Sequence, residues 1–190
     1  NLSSNECGRG GLAALEPLFR QCSRLRTLGL ASTEMGSFGA ASLDRSLPAS
    51  CPLRQLNLRN NFADAGGCQK IASVIARCGE LAELRLSCNA FGDAGGQSLA
   101  RGLGACSSLV RLYLNHCYLT SVGIEHVAHA LIGCTSLQIL NLNDNKMAAS
   151  GATELAWALG KCTRLVELHV CKNKVNVAGA KLNMKKTSAR

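Results

Sequence analysis

Residue types that could ligate a metal or act as nucleophiles are present, but their spacing forms no complete catalytic site. His126 and His129 lie three residues apart after Glu125, a spacing that places two imidazoles on one face of a helix, where they could chelate a metal ion. A tetrahedral zinc site needs about four converging ligands, and no second ligand pair is recognisable. Cys88 and Cys171 lack an identifiable triad partner, and no phosphate-binding loop of the form G-x-x-x-x-G-K-[ST] occurs. The sequence therefore predicts no catalysis, no metal site and no cofactor.

Leucine spacing shows which elements position the side chains. One column repeats every 28 residues: Leu28, Leu56, Leu84, Leu112, Leu140 and Leu168. Further apolar columns lie three residues before and two after it, so each unit reads L-x-x-L-x-L. A polar column follows at Thr33, Asn61, Asn89, Cys117, Asn145 and Asn173, and a glycine column at Gly39, Gly67, Gly95, Gly123, Gly151 and Gly179. Apolar residues four apart then suit one face of a helix. Each unit is predicted to be a short strand, a turn and a helix.

This pattern resembles the leucine-rich-repeat family, whose consensus is L-x-x-L-x-L-x-x-N/C-x-L. The 28-residue period and helical second half are similar to the ribonuclease-inhibitor type, also used by the sensor arms of nucleotide-binding immune receptors. The resemblance implies an α/β fold, a horseshoe-shaped solenoid with a parallel β-sheet on the concave face and helices on the convex face.

The repeats set the expected domain organisation. We expect a single domain over 1–190, with a partial repeat at 1–22, repeats near 25–50, 53–78, 81–106, 109–134 and 137–162, and a partial C-terminal repeat at 165–190. Because the chain opens at Asn1 and Leu2 already inside a strand, we expect it to be part of a larger protein.

Cysteine usage bears on the cellular compartment. The chain has 11 cysteines, and five of them form a periodic column at the predicted helix ends: Cys22, Cys78, Cys106, Cys134 and Cys162. A buried thiol there behaves as a small hydrophobe. Extracellular proteins of the resembled family usually carry clustered disulfide cysteines at their ends, and no such cluster is present. We expect reduced thiols and a cytoplasmic or nuclear location. The sequence contains no apolar run of 18 or more residues, so it predicts no membrane span.

The net charge of +9 is concentrated near the C-terminus. Six of the 21 basic residues lie in 172–190, which has no acidic residue, so the remaining 15 basic residues are set against 12 acidic ones. Aromatic residues make up 4% of the chain, too few for the stacking platforms of a nucleic-acid-binding surface, so nucleic acid is not the expected partner. Lys181, Lys185 and Lys186 could form a polar cap or a binding tail, or the last helix could be shifted onto Leu182.

The residues between the leucines are the candidate binding site, because they alternate to the exposed face of the strands. Arg59, Arg85, Arg111 and Tyr113 are predicted to lie close together there, and Arg and Tyr are enriched at binding hot spots. The full candidate set is Asn57, Arg59, Arg85, Arg111, Tyr113, Asn115, Tyr118, Asn141, Asn143 and His169. The alternative is that these polar side chains only keep a solvated face soluble.

The loops that follow the strands supply further candidates on one rim. Phe62 and Tyr118 occupy a loop column that is otherwise polar or small, so each could be exposed for a contact or fold back onto the core. Trp157 lies in an outward helix column and offers the same choice on the convex side.

Two function classes stay open. The first is a non-catalytic protein-interaction module, a scaffold or sensor arm that binds a protein partner with an acidic surface through the concave face and strand-end loops. The alternative is a regulator of a small GTPase, similar to GTPase-activating proteins of this repeat type, acting through a rim loop. The alternative ranks second because those regulators usually have an acidic tail, whereas the C-terminal segment of this chain is basic. An Arg85→Glu substitution is expected to weaken partner binding and to change thermal stability by no more than about 0.5 kcal/mol.

Overall fold

Six strands and seven helices alternate in the part of the chain, residues 1–175, that the computed structural model describes. The strands are β1 (Thr27–Gly29), β2 (Gln55–Asn57), β3 (Glu83–Arg85), β4 (Arg111–Tyr113), β5 (Ile139–Asn141) and β6 (Glu167–His169). The helices are α1 (Gly8–Ala14), α2 (Glu16–Gln21), α3 (Gly36–Ser46), α4 (Ala65–Arg77), α5 (Gly92–Leu103), α6 (Ser121–Leu131) and α7 (Ala149–Leu159). The predicted α/β solenoid is confirmed, with the sheet on its concave face and the helices on its convex face.

The strands form one open parallel sheet in the order β1-β2-β3-β4-β5-β6. Each strand residue pairs with the residue 28 positions later in the next strand. Leu28 thus pairs with Leu56, and Leu84 pairs with Leu112. Each strand contains one leucine of the 28-residue column, as the repeat pattern predicts. A constant period therefore places equivalent side chains of successive repeats side by side across the sheet.

A ladder of asparagine side chains joins the turns beneath this sheet. Asn89 is 2% exposed; its Oδ1 accepts from the backbone N–H groups of Asn61 at 3.2 Å and Ala63 at 3.1 Å, and its Nδ2 donates to the Leu58 carbonyl at 3.0 Å. Asn145 repeats these bonds two repeats later, with the Cys117 and Leu119 N–H groups as donors. Buried backbone groups left unpaired would cost free energy, so the ladder stabilises each turn through its neighbour.

Glycines permit close helix packing. A Cβ added to Gly151 would lie 2.8 Å from the Ser121 Cα, which fits the predicted tight packing of the glycine column. Gly102, outside that column, is tighter still, since its Cβ would lie 2.6 Å from the Ala72 carbonyl oxygen. Helices α4 and α5 therefore approach at a distance that only glycine allows at position 102.

The end repeats depart from the predicted burial pattern. Leu168 belongs to the leucine column and is expected to be buried, yet it is 36% exposed. Leu28, on the opposite edge strand β1, is only 4% exposed. Cys22 is half-buried in the first repeat, whereas Cys78, Cys106, Cys134 and Cys162 are buried as predicted. Gly179, Lys181, Leu182, Lys185 and Lys186 lie outside the described residues.

All eleven cysteines are free thiols. Burial raises the pKa of the Cys106 thiol to about 11 and that of the Cys134 thiol to about 12. Cys106 and Cys134 are thus protonated thiols that pack as core residues, and the cellular compartment stays a prediction.

Neither a membrane span nor a metal cluster is found between residues 1 and 175. Each helix in that range is too short or too polar to cross a bilayer. No three His, Cys, Asp or Glu side chains there converge as a metal site would require.

Candidate functional site

The outward side chains of β3 and β4 form the best-ordered group on the concave face. Parallel pairing places Glu83 beside Arg111 and Arg85 beside Tyr113. Because alternate residues of a strand point to the same side, all four side chains project from the sheet away from the helices. We call Glu83, Arg85, Arg111 and Tyr113 the concave cluster.

Glu83 holds the two arginines of the concave cluster. Its side chain is only 12% exposed, its Oε2 accepts from Arg111 Nε at 3.0 Å, and its Oε1 accepts from Arg85 Nε. Burial raises the pKa of Glu83, but the hydrogen bonds from Arg85 and Arg111 outweigh it and hold the pKa below its ordinary value. The carboxylate therefore stays ionised and fixes both guanidinium groups.

Tyr113 completes the concave cluster. The Arg85 guanidinium carbon lies 4.9 Å from the centre of the Tyr113 ring, within the range of a cation–π interaction. Arg85 is thus positioned by a carboxylate at one edge and by an aromatic face. Both side chains are therefore held in a fixed geometry at the surface, so little further ordering of them is needed in a contact.

The expectation for Arg85→Glu is corrected by these contacts. The Arg85 side chain is exposed, as predicted, but it neutralises a buried carboxylate. A glutamate at position 85 would remove that partner and add a second negative charge beside Glu83, so the substitution should also destabilise the fold. It cannot separate binding from stability.

Glu83 also changes the charge of the surface. The outward positions are 27, 29 and 31 and their equivalents at 28-residue steps, eighteen in all. They carry three arginines and two glutamates. Glu83 neutralises one of the two arginines that it binds. The concave face is therefore only weakly positive, and its charge alone gives limited support to an acidic partner.

The remaining predicted site residues lie around the concave cluster without joining it. Arg59 follows β2 and is exposed, and within residues 1–175 its guanidinium has no ion-pair partner. His169 is on the edge strand β6, with its Nε2 3.3 Å from Glu167 Oε2. Both side chains are available to a partner, but neither is positioned by the cluster.

The predicted asparagines have a local role as well. Each accepts a hydrogen bond at its Oδ1. The donors are the Arg59 N–H for Asn57, the Ser87 hydroxyl for Asn115, the Asn143 N–H for Asn141 and the Cys171 N–H for Asn143. No protein acceptor is found in the described chain for the Nδ2 groups of these four asparagines. The face therefore presents a row of amide donors.

A hollow of about 240 Å³ lies beside the concave cluster, towards the N-terminal end of the sheet. Its lining includes Thr27 and Gly29 of β1, Asn1 and Ser3 before it, and Glu83 and Arg85 of the concave cluster. Asn1 covers Gly29, because a Cβ added to Gly29 would overlap the Asn1 Oδ1. The hollow gives the concave face a recess for a protruding group.

The strand-end rim carries the exposed aromatics. Phe62 is 68% exposed and Tyr118 is 46% exposed, which favours a contact role over folding back onto the core. Both have a left-handed backbone, with φ of 55° and 59°, a conformation that is uncommon for bulky residues. The left-handed backbone at these two positions therefore directs the rings outward, and it carries backbone strain.

On the convex side, Trp157 of α7 is 56% exposed and packs edge-on to His129 at a ring distance of 5.6 Å. His129 Nε2 lies 3.4 Å from Glu154 Oε2. The outward orientation of this helix column is confirmed. Phe38 of α3 is also exposed, at 50%. Within residues 1–175 the helices carry no group comparable to the concave cluster.

Glu83 is the residue of the concave cluster that sequence reasoning missed. Its position in the outward column is evident, but its pairing requires the strand register. The available signal was an arginine two residues later, on the same face, and another 28 residues later, on the next strand.

The comparisons with known proteins agree with the repeat pattern. The sequence profile of the family described as Leucine Rich repeat matches residues 81–100 and 133–156. No curated protein matches the chain. Among solved structures, the chain is similar to the tropomodulin C-terminal domain from Caenorhabditis elegans, with a TM-score of 0.55 over 84% of this chain and 81% of that chain, at 9% sequence identity. The chain carries leucine-rich repeats and folds as a leucine-rich-repeat solenoid.

Proposed function

We propose that this solenoid is a non-catalytic protein-interaction module that binds its partner through the concave face. The single observation that carries the proposal is the concave cluster, in which Glu83 fixes Arg85 and Arg111 while Arg85 lies against Tyr113. Extended concave faces of solenoids are the usual binding surfaces of repeat proteins.

Preorganisation supports binding over simple solubility. A residue that only keeps a surface solvated needs no fixed rotamer, whereas ordering a long arginine side chain costs free energy. Here two arginines are ordered by one nearly buried carboxylate. Arg and Tyr held in this way resemble the residues that dominate measured protein interfaces.

The surroundings of the concave cluster indicate what the partner presents. The Nδ2 groups of Asn57, Asn115, Asn141 and Asn143 face a partner as donors, and the Arg85 and Arg111 guanidinium groups add more. Backbone carbonyls and carboxylates are the matching acceptors. A partner surface rich in acceptors, with one side chain that enters the hollow lined by Arg85 and Asn57, fits this face.

Site-specific photocrosslinking tests the proposal. A photoreactive phenylalanine analogue is placed at Tyr113 on the concave face and, as the matched control, at Trp157 on the convex face. Both native residues are aromatic, so the insertion perturbs each site similarly. Crosslinked proteins from native lysate are identified by mass spectrometry, and the outcome is judged by comparing the two positions.

A protein crosslinked from position 113, and not from 157, would place the partner on the concave face. Crosslinks only from position 157 would contradict the proposal and assign binding to the helices. Crosslinks of equal yield from both positions would indicate non-specific capture and would also count against it.

A further inference from the structure

A second surface lies on the strand-end rim, at the turns of the fourth to sixth strand units. A hollow of about 230 Å³ there is lined by His116, Tyr118, Asp144, Asn145, Lys146 and Lys172. We call these residues the rim hollow. They follow β4, β5 and β6, so the rim hollow borders the concave face without including the concave cluster.

The backbone holds the rim hollow in place. The Lys146 N–H donates to the Leu119 carbonyl at 2.7 Å, and the Lys174 N–H donates to the Met147 carbonyl at 2.8 Å. Residue 146 also forms a parallel bridge with Thr120. The side chains at 118, 146 and 174 therefore emerge from neighbouring turns at steps of about 5 Å, the spacing of adjacent strands.

Tyr118 is the centre of the rim hollow. Its ring meets the His116 ring edge-on at a centroid distance of 5.4 Å, and Lys146 Nζ lies 5.2 Å from the ring centre. Nearly half of the Tyr118 surface is nevertheless exposed. An exposed aromatic face with a lysine ammonium above it offers both apolar contact and positive charge at one point.

The positive charge of the rim hollow is only partly neutralised. Lys172 Nζ lies 3.5 Å from Asp144 Oδ1. Lys146 and its neighbour Lys174 have no carboxylate within ion-pair distance among residues 1–175. The concave cluster differs in this respect, because Glu83 already occupies its arginines. The rim hollow therefore has uncompensated charge to offer a partner.

We propose that the rim hollow binds an acidic segment of a partner protein, with an Asp or Glu carboxylate taken between Lys146 and Lys172 and its neighbouring side chain packed on Tyr118. This inference rests on the proposed function, since it assumes a protein partner, and it names the chemistry recognised at the rim. A nucleic acid is disfavoured, because the Tyr118 ring, packed against His116, provides no run of stacking platforms along the rim.

The test uses the full chain and fluorescein-labelled poly-L-glutamate as the probe. Binding is followed by fluorescence anisotropy, and the site is mapped by two-dimensional amide NMR. We expect shifts at residues 116–118 and 144–146, with Lys146→Glu weakening binding by about tenfold or more, as loss of a charged contact and addition of repulsion predict. Lys161→Glu, an exposed lysine beyond α7, is the charge-matched control.

Tyr118→Asn tests the aromatic contribution separately, because asparagine tolerates the left-handed backbone at this position. A loss of affinity here, with an unchanged melting temperature, supports the assigned role of the ring. Equal losses for Lys146→Glu and Lys161→Glu, or shifts confined to residues outside the rim hollow, would overturn the inference in favour of diffuse charge attraction.

Two further arms exclude other anions. Inorganic phosphate is compared with sodium chloride at equal ionic strength, since salt alone screens exposed charges. Displacement of the probe by phosphate only, with the same NMR shifts, would make this a phosphate site and contradict the inference. Tighter binding of a labelled oligothymidylate at the rim would contradict it in favour of nucleic acid.

Failure here is distinguishable from failure of the proposed function. If poly-L-glutamate does not bind at the rim while a partner still crosslinks from position 113, the rim inference fails and the concave face stands. If the rim binds the probe but position 113 crosslinks nothing, the proposed function fails instead.

Discussion

Glu83 Oε2 accepts a hydrogen bond from Arg111 Nε at 3.0 Å across the boundary between two adjacent repeats. The same carboxylate holds Arg85 of its own strand. One acidic side chain therefore couples two repeats and positions the candidate binding residues. A change at Glu83 is expected to affect both the stability of the fold and the geometry of these residues.

Glu83→Gln should destabilise the fold in a pH-dependent way. At neutral pH the loss of the buried carboxylate that pairs two arginines is expected to cost about 1–3 kcal/mol. Because the folded pKa of Glu83 lies below its ordinary value of 4.5, its contribution is present above that value and is lost as the pH falls through the folded pKa. Urea unfolding at neutral and acidic pH measures the difference.

Glu167→Gln is the control for that experiment, since Glu167 occupies the same column on β6 and is exposed. We expect it to change the free energy of unfolding by less than about 0.5 kcal/mol at neutral pH. A Glu83→Gln penalty that is equal to the control, or that persists unchanged at acidic pH, would rule out the role assigned to Glu83.

Asn89→Ala should destabilise the repeat array strongly. The substitution leaves the buried N–H groups of Asn61 and Ala63 and the Leu58 carbonyl without their partner, and each such group costs about 1–3 kcal/mol. Gln97→Ala removes an exposed amide from α5 and should be nearly neutral. Similar melting temperatures for the two variants would show that the ladder contributes little.

Gly102→Ala and Gly104→Ala should have opposite consequences at the end of one helix. Alanine at 102 meets the Ala72 carbonyl oxygen at 2.6 Å, and forcing α4 and α5 apart is expected to cost about 1–3 kcal/mol. Alanine at 104 has its nearest contact at 3.6 Å and should be neutral or stabilise by up to about 1 kcal/mol. Thermal unfolding of both variants decides, and a tolerated Gly102→Ala would refute the close packing.

Thiol reactivity should divide the cysteines by burial. In the native protein Cys171 is exposed and should react first with an aromatic disulfide reagent, while Cys106 and Cys134, buried and with raised pKa values, should not react. After denaturation without reductant, all 11 thiols should titrate. A count lower by several would reveal disulfides and argue against the predicted cytoplasmic or nuclear location.

The sequence was sufficient to predict the repeat architecture because every unit has the same length. A constant 28-residue period lets the leucine, asparagine and glycine columns be read directly, and it predicts that Arg85 lies beside Tyr113. The resemblance to the ribonuclease-inhibitor type stays a prediction, since the family match concerns leucine-rich repeats in general.

Side-chain pairing was less accessible to sequence reasoning. Whether Arg85 is free or bound to Glu83 depends on rotamers and on the burial of the carboxylate, and neither follows from the column in which a residue lies. The exposed state of Phe62 and Tyr118 depends on the left-handed turn at each position. The 36% exposure of Leu168 was not predictable either, because periodicity treats every repeat as interior.

The most direct test of the concave-face account is the affinity of the partner crosslinked from position 113 for two matched variants. Tyr113→Ala removes the aromatic residue of the concave cluster, and Trp157→Ala removes an exposed aromatic residue of the convex face. By isothermal titration calorimetry, Tyr113→Ala should weaken binding by at least about 2 kcal/mol, roughly 30-fold, as expected of a hot spot. Trp157→Ala should leave the Kd within about threefold of the parent value. A loss confined to Trp157→Ala, or an equal loss for both, would contradict the concave face as the binding surface.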